Sequence, residues 1–226
     1  MKRILFFSLM IISFGITNAQ YFQLHGGMVY PTGDFADNDE ENDKAGYAAP
    51  GFNVGIKSYI PLSTSNFSLV FGFDFFYNGL QSKYKDEMEE LFPDDNYSPS
   101  AYLNMPITVG LNYSYPLYKQ LKIYGEAGLG LNYSMMTSDV IKFEEGYTTY
   151  KDAINYDNSF GFCYNLEGGF LIKWFKLGLK YNYLGNYSYK TKWSLTDEYG
   201  DEIDSEKWDN TKRAISNWQF VIGFVF

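Results

Sequence analysis

From residue 21 to its end the chain is written largely in period two, and that pattern restricts its fold more than any other feature. Successive side chains of a strand point to opposite faces, so strict alternation marks strands that are apolar on one side only. Eight segments carry it. The first places Phe22, Leu24, Met28 and Tyr30 on one parity, and the second Phe52, Val54, Ile56 and Ile60. The third is the strictest, with Phe67, Leu69, Phe71, Phe73, Phe75 and Tyr77. The fourth runs from Leu103 to Tyr115, the fifth from Ile123 to Tyr133, the sixth from Phe160 to Trp174 and the seventh from Phe175 to Tyr183. The eighth closes the sequence with Trp218, Phe220, Ile222, Phe224 and Phe226. The opposite parity is small and polar. It holds Asn53, Gly55, Gly72, Asn104, Gly110, Asn112, Gly128, Gly130, Asn132, Asn165, Gly178 and Asn182, and with them the charges Lys57, Asp74, Glu126, Glu167 and Lys180.

The connections alternate between short and long. Residues 61–66, 116–120 and the junction at Trp174 and Phe175 are short. Residues 31–47, 81–100, 134–158 and 188–213 are long and polar, and hold 24 of the 27 acidic residues with 10 basic ones. No charge falls on the apolar parity inside any of the eight segments. The fourth long connection also contains a weaker alternation, residues 187–193 and 209–214, which would give ten strands if it paired as a further hairpin.

Before the first strand lies one apolar run. Lys2 and Arg3 precede Ile4 to Thr17, and Thr17, Asn18 and Ala19 supply small residues for cleavage after Ala19. A run this short cannot span a bilayer as a helix and fits a secretory signal peptide. The expected organisation is residues 1–19 as signal peptide and 20–226 as one domain. Cleavage removes two of the 18 basic residues and none of the acidic ones, taking the net charge from -9 to -11. So acidic a chain, with a pI of about 4.6, is a poor ligand for nucleic acid, whose phosphates select Lys and Arg. One cysteine and one histidine exclude a disulfide framework, a Cys-rich zinc site and any centre that needs two histidines. No cofactor, metal or catalytic residue is expected.

Two closed architectures could use eight such strands. A soluble lipocalin-like barrel would turn the apolar parity inward, and an outer-membrane barrel would turn it to lipid. The interior of an eight-stranded barrel is just wide enough for side chains to fill. Six large residues from the third strand alone, with similar sets from the other seven, would overfill it, whereas Gly, Asn and Ser fit. A water-facing surface would also carry more Lys and Glu than the polar parity does. The expected fold is therefore all-β, an eight-stranded antiparallel up-and-down transmembrane β-barrel, since a closed barrel is the one sheet that leaves no backbone group unpaired in hydrocarbon. Short turns and both termini would be periplasmic, with long loops outside. Tyr77, Tyr133, Tyr181, Tyr183 and Trp218 would form the outer aromatic girdle, and Phe22, Tyr115, Trp174, Phe175 and Phe226 the inner one.

With its leader, its alternation and its last strand Trp218-Gln-Phe-Val-Ile-Gly-Phe-Val-Phe226, the sequence resembles the small outer-membrane β-barrel proteins of Gram-negative bacteria. That group includes OmpA-type transmembrane domains and PorT-like barrels. Gly26-Gly27-Met28-Val29-Tyr30-Pro31-Thr32-Gly33-Asp34-Phe35 resembles their first-strand pattern, and Tyr102-Leu103-Asn104-Met105-Pro106 a further one. The resemblance implies residence in the outer membrane, contact with its lipid, and a terminal aromatic, Phe226, that is part of the signal read by the barrel assembly machinery. PorT-like relatives are linked to secretion and motility machinery.

The interior charges Lys57, Asp74, Glu126, Glu167 and Lys180 admit three readings: ion pairs that plug the barrel, a charged constriction in a narrow pore, or a catalytic group. Buried charges require partners, which favours the plug. Lys122, Lys173 and Lys176 are expected to crowd the periplasmic mouth. His25 invites comparison with lipid-modifying barrels, but it falls near the periplasmic end and not at the outer leaflet. Cys163 reads as lumen packing. The acidic run Asp37-Asn38-Asp39-Glu40-Glu41-Asn42-Asp43 lacks the spacing of a calcium loop. The loops hold Phe92, Tyr97, Tyr147, Tyr150, Trp193 and Trp208, aromatics suited either to an envelope protein partner or to packing among themselves. The expected role is a non-enzymatic envelope protein, structural or interacting through its loops, with a narrow solute pore as the alternative.

Overall fold

The computed structural model describes residues 20–39, 41–62, 66–91, 96–145 and 148–226. The proposed leader with its cleavage position Ala19, and Glu40, Phe92 and Tyr147 among the loop residues singled out above, lie outside the described residues, as does the side chain of Trp208.

Eleven strands are present among the described residues: β1 (Tyr21–Thr32), β2 (Gly51–Pro61), β3 (Phe67–Gly79), β4 (Asn96–Ser98), β5 (Ala101–Tyr118), β6 (Leu121–Met136), β7 (Asp139–Glu145), β8 (Thr148–Tyr156), β9 (Ser159–Ile172), β10 (Phe175–Thr196) and β11 (Glu202–Val225). Eight of them run in the order β1–β2–β3–β5–β6–β9–β10–β11, and β11 pairs back onto β1, with Gln23 opposite Val225 and Thr32 opposite Ser216. All of these pairings are antiparallel. The sheet is a closed eight-stranded barrel, and its strands are the eight read from the alternation.

The direction of the two parities is unambiguous. On β1, Phe22, Leu24 and Met28 are each more than half exposed, whereas Gln23 is 1% exposed and His25 4%. The same inversion runs around the barrel, with Ile56, Ile107, Leu129, Leu166 and Phe220 outside and Asn53, Asn132, Glu167 and Gln219 inside. A barrel that is apolar outside and polar inside is solvated by lipid, not by water. At one rim the girdle is made by Trp174 stacked on Phe224, at 5.4 Å. At the other it is made by Tyr181 on Trp218, at 5.1 Å, and Tyr133 on Phe160, at 4.8 Å.

The two ends differ. One carries tight turns, two of which enter the left-handed region at Lys119 (φ 42) and Lys173 (φ 56), together with the start of β1 and the end of β11. The other is built up. There β10 and β11 continue together beyond the barrel, pairing as far as Thr196 with Glu202, and β8, β7 and β4 add to the outer part of β10. The extra hairpin suggested by residues 187–193 and 209–214 thus exists as an extension of two barrel strands, and the barrel keeps eight. A helix, α1 (Ser82–Leu91), lies in the second long connection. The helix and the strands β4, β7 and β8 were not evident from the sequence, because polar and apolar residues mix on both faces of these segments and no regular alternation results.

Candidate functional site

The interior of the barrel is the candidate site. It is layered along the axis, starting from the tight-turn end. In the first layer Glu126 on β6 and Glu167 on β9 meet Lys57 from β2 and Lys176 from β10. Lys57 Nζ lies 2.5 Å from both Glu126 Oε1 and Glu167 Oε2. Lys176 Nζ lies 2.9 Å from Glu167 Oε1 and 3.5 Å from Glu126 Oε2. Two phenols complete the layer. Tyr124 donates to Glu167 Oε1 at 2.8 Å. The Tyr59 hydroxyl stands within donating distance of Gln23 Oε1 (2.6 Å) and Glu126 Oε2 (3.0 Å), and accepts from Lys176 Nζ at 2.9 Å. The Lys176 ammonium also sits 4.0 Å from the centre of the Tyr124 ring, a cation–π contact in a dry setting.

In the second layer Asp74 is the hub. His25 Nε2 lies 2.7 Å from its Oδ1, Asn53 Nδ2 donates to the same oxygen at 2.8 Å, and Lys180 Nζ reaches Oδ2 at 2.9 Å. Gln219 in turn donates to Asn53 Oδ1 at 2.5 Å. An amide layer follows, in which Asn132 Nδ2 donates to Asn104 Oδ1 (3.0 Å) and to the Leu184 carbonyl (2.9 Å). Beyond it the lumen turns apolar, with Val29, Phe35, Ala48, Phe76, Leu80, Tyr102, Leu184, Tyr187 and Ile215 packed into one buried cluster. The first long connection caps this cluster. Phe35 meets Tyr102 edge-on at 4.9 Å, Tyr102 donates to the Gly46 carbonyl, and Arg213 donates to the Lys44 carbonyl and to Tyr102 Oη.

The geometry explains the polar-parity glycines. A Cβ at Gly55 would collide with Asp74 Oδ1 and the His25 ring, and one at Gly178 with the Tyr124 hydroxyl. The glycines make the room that charged and phenolic side chains need in so narrow a lumen.

The structure brings Lys57, Asp74, Glu126, Glu167 and Lys180 together as buried, paired groups. Lys176 is a correction. It was expected at the mouth with Lys122 and Lys173, yet it is 3% exposed and completes the glutamate layer. Its parity, shared with Lys180 and Asn182, carried the signal. Its nearness to the turn hid it, because a lysine close to a strand end commonly reaches water. Tyr59 and Tyr124 were also missed, since an aromatic on the polar parity looks like an exception to the pattern. Cys163 is buried in the lumen.

At the loop end the acidic run of residues 37–43 is turned on itself. Asp37 Oδ1 accepts from the Asp39 amide and its Oδ2 from Asn42 Nδ2, while Asp39 accepts from the Glu41 amide. Burial within the loop sheet supplies a further carboxylate centre. Asp139 accepts from Tyr97, Tyr156 and the Ser100 amide at 3.0, 2.6 and 2.8 Å. Trp193 stands opposite Ile154 and Glu206 in the loop sheet, and Tyr150 stacks on Phe143. The aromatic left most open there is Tyr199, at the tip of the β10–β11 hairpin.

No protein-family model matches the chain, and no curated protein matches it. Solved structures do resemble it. The crystal structure of a major outer membrane protein from Thermus thermophilus aligns over 92% of this chain and all of that one, with a TM-score of 0.56 and 13% identity. Neisserial surface protein A aligns over 91% and 95% with a TM-score of 0.49 and 12% identity. The outer membrane protein OprG from Pseudomonas aeruginosa aligns over 92% and 96% with a TM-score of 0.45 and 13% identity. The likeness to the Thermus protein supports an outer-membrane type of barrel fold. At such identities it carries the fold alone.

Proposed function

We propose that this protein is a non-conducting, non-enzymatic outer-membrane barrel that holds an acidic folded platform at the cell surface, where it serves structural contacts or binds envelope protein partners. Its tight turns and both termini face the periplasm, and its apolar belt contacts outer-membrane lipid. The PorT-like and OmpA-type resemblance of the first and last strands belongs to this reading, as does recognition of Phe226 by the assembly machinery.

The observation that carries it is the double closure of the lumen. The charged layers are balanced, with Lys57, Lys176 and Lys180 against Glu126, Glu167 and Asp74, so neither layer offers an unpaired charge to a permeating ion. Above them the apolar cluster around Phe76 and Leu184 fills the lumen with buried side chains, which supports a blocked barrel. Catalysis by His25 is disfavoured by its burial against Asp74, a pair whose other described neighbours are amides and lysine.

The test is single-channel recording of the refolded mature protein in a planar bilayer. Silence from protein shown to be folded is expected. A steady, reproducible conductance would overturn the reading and make the charged layers the constriction of a narrow pore.

A further inference from the structure

At the tight-turn end the barrel opens into a blind vestibule of about 320 Å³. Its walls include Tyr21, Asn66, Ser68, Ser114, Lys122 and Lys173. Below it a narrow extension ends at Tyr59, Tyr124 and Lys176, the glutamate layer already described. Lys122 sits on the lumen parity of β6, two residues before Tyr124. Lys173 is held at the mouth by its turn, where its amide donates to the Gln120 carbonyl at 3.0 Å.

Charge sets this end apart from the rest of the molecule. The turns at residues 61–66, 116–122 and 171–175 contain Lys119, Lys122 and Lys173 and no Asp or Glu. The floor beneath is neutral, because Lys57 and Lys176 are matched by Glu126 and Glu167. Phe226 pairs through its backbone with Phe22 on the seam between β1 and β11. Among the described residues neither Lys122 nor Lys173 has an ion-pair or hydrogen-bond partner for its ammonium, although every buried lysine of the lumen has at least one. Two exposed ammonium groups, unmatched among the described residues, thus line the mouth of a small cavity with the hydroxyls of Ser68, Ser114 and Tyr21. Ammonium groups with hydroxyl neighbours are a setting for oxyanions.

We propose that this vestibule is an anion-binding site that takes a phosphate or phosphate-ester group between Lys122 and Lys173. The cavity admits the phosphate and a small organic substituent, either of a soluble ester or of a lipid headgroup folded in from the adjoining leaflet. The lysines lie at the mouth, outside the glutamate layer, so anion binding there is tested separately from conductance.

The protein is refolded in an uncharged sugar detergent, and its amide spectrum is followed by NMR while inorganic phosphate or glycerol 3-phosphate is added at constant ionic strength. Saturable shifts confined to the mouth, around Gln120, Lys122 and Lys173, are expected. In the double variant K122Q/K173Q binding should weaken by about tenfold or more, given the strength of hydrogen bonds to charged groups, with the remaining spectrum and the heat-modifiable gel mobility of the folded barrel unchanged. Should the pair not refold, the single variants K122Q and K173Q carry the same comparison. Shifts reproduced by chloride, or equal affinity in the variants, would overturn the proposal. Discs of phosphatidylcholine with and without phosphatidylglycerol separate the two sources. Mouth shifts that require the anionic lipid and are reversed by glycerol 3-phosphate assign the site to a headgroup. Shifts by the soluble ester that are indifferent to lipid assign it to a periplasmic solute.

Discussion

Glu126 and Glu167 stand directly opposite one another on β6 and β9, and both hold the same ammonium, Lys57 Nζ, at 2.5 Å. Like charges in register repel across a sheet. Here Lys57 from the far wall and Lys176 from β10 turn that repulsion into a four-membered ionic layer. Removing one member of a buried network leaves an uncompensated charge, which is more damaging than never having had the network. Lys57→Met is therefore expected to destabilise the barrel by about 3 kcal/mol or more, read as the urea midpoint of refolding in detergent. K57M/E126Q should recover much of that loss. Additive losses in the double variant would show that the four groups do not act as a unit.

The loop sheet responds to alkali. Burial, and after it the charge of Asp139, push the Tyr97 and Tyr156 hydroxyls well above the ordinary tyrosine value of about 10. A pKa raised on folding gives stability that is complete below the unfolded value and is lost as pH climbs through the folded one. The loop sheet should thus keep its docking through neutral and mildly basic solution and loosen only above about pH 10. Tyrosinate absorbance should show these two groups ionising only well above about pH 10. Asp139→Asn should let them ionise earlier and expose the connections at residues 81–100 and 134–158 to protease. Unchanged titration in that variant would remove Asp139 from the account.

Two glycines should behave in opposite ways. A Cβ at Gly27 would overlap the Phe220 carbonyl across the β1–β11 seam, whereas one at Gly125 would meet nothing within 4 Å. Gly27→Ala is expected to cost about 1–3 kcal/mol by overpacking and to lower the yield of closed, heat-modifiable barrel. Gly125→Ala should lie within about 0.5 kcal/mol of the parent. Equal yields would mean that the seam has slack.

Phe226 is 77% exposed and contributes little packing to the folded barrel. Phe226→Ala should leave refolding in detergent unaltered and reduce the amount assembled in the outer membrane of cells. A matching loss in both assays would make the residue a stability element and not an address.

The barrel strands and the direction of their faces were legible because lipid and lumen select opposite chemistries at every second residue. Lys57, Asp74, Glu126, Glu167 and Lys180 stood out because a charge in such a strand has one face to occupy. Phe76, Val29 and Ile215 did not, since apolar residues on the polar parity look like noise until loop packing gives them neighbours. Parity itself fails beyond Tyr183. The register shift between Tyr183 and Gly185, with Gly185 at φ 96, inserts one residue and reverses which side faces inward, so Leu184 and Tyr187 both end in the core. No sequence period announces such a bulge. The loop sheet was hidden for a related reason: its strands β4, β7 and β8 mix polar and apolar residues on both faces, so no parity marks them.

The ionic layers also impose an order of events on folding. Glu126, Glu167 and Lys176 come from β6, β9 and β10, neighbours in the sheet that pair through nearby chain segments. Lys57 belongs to β2, and reaches Glu126 and Glu167 across sequence gaps of 69 and 110 residues. Until the sheet curls far enough for β2 to face β6 and β9, two glutamates share one lysine. A half-formed or open sheet is thus electrostatically incomplete, and the curled form alone neutralises it. The lumen rewards the finished cylinder over its precursors, so the same residues that fill the lumen also discourage it from persisting as an open sheet.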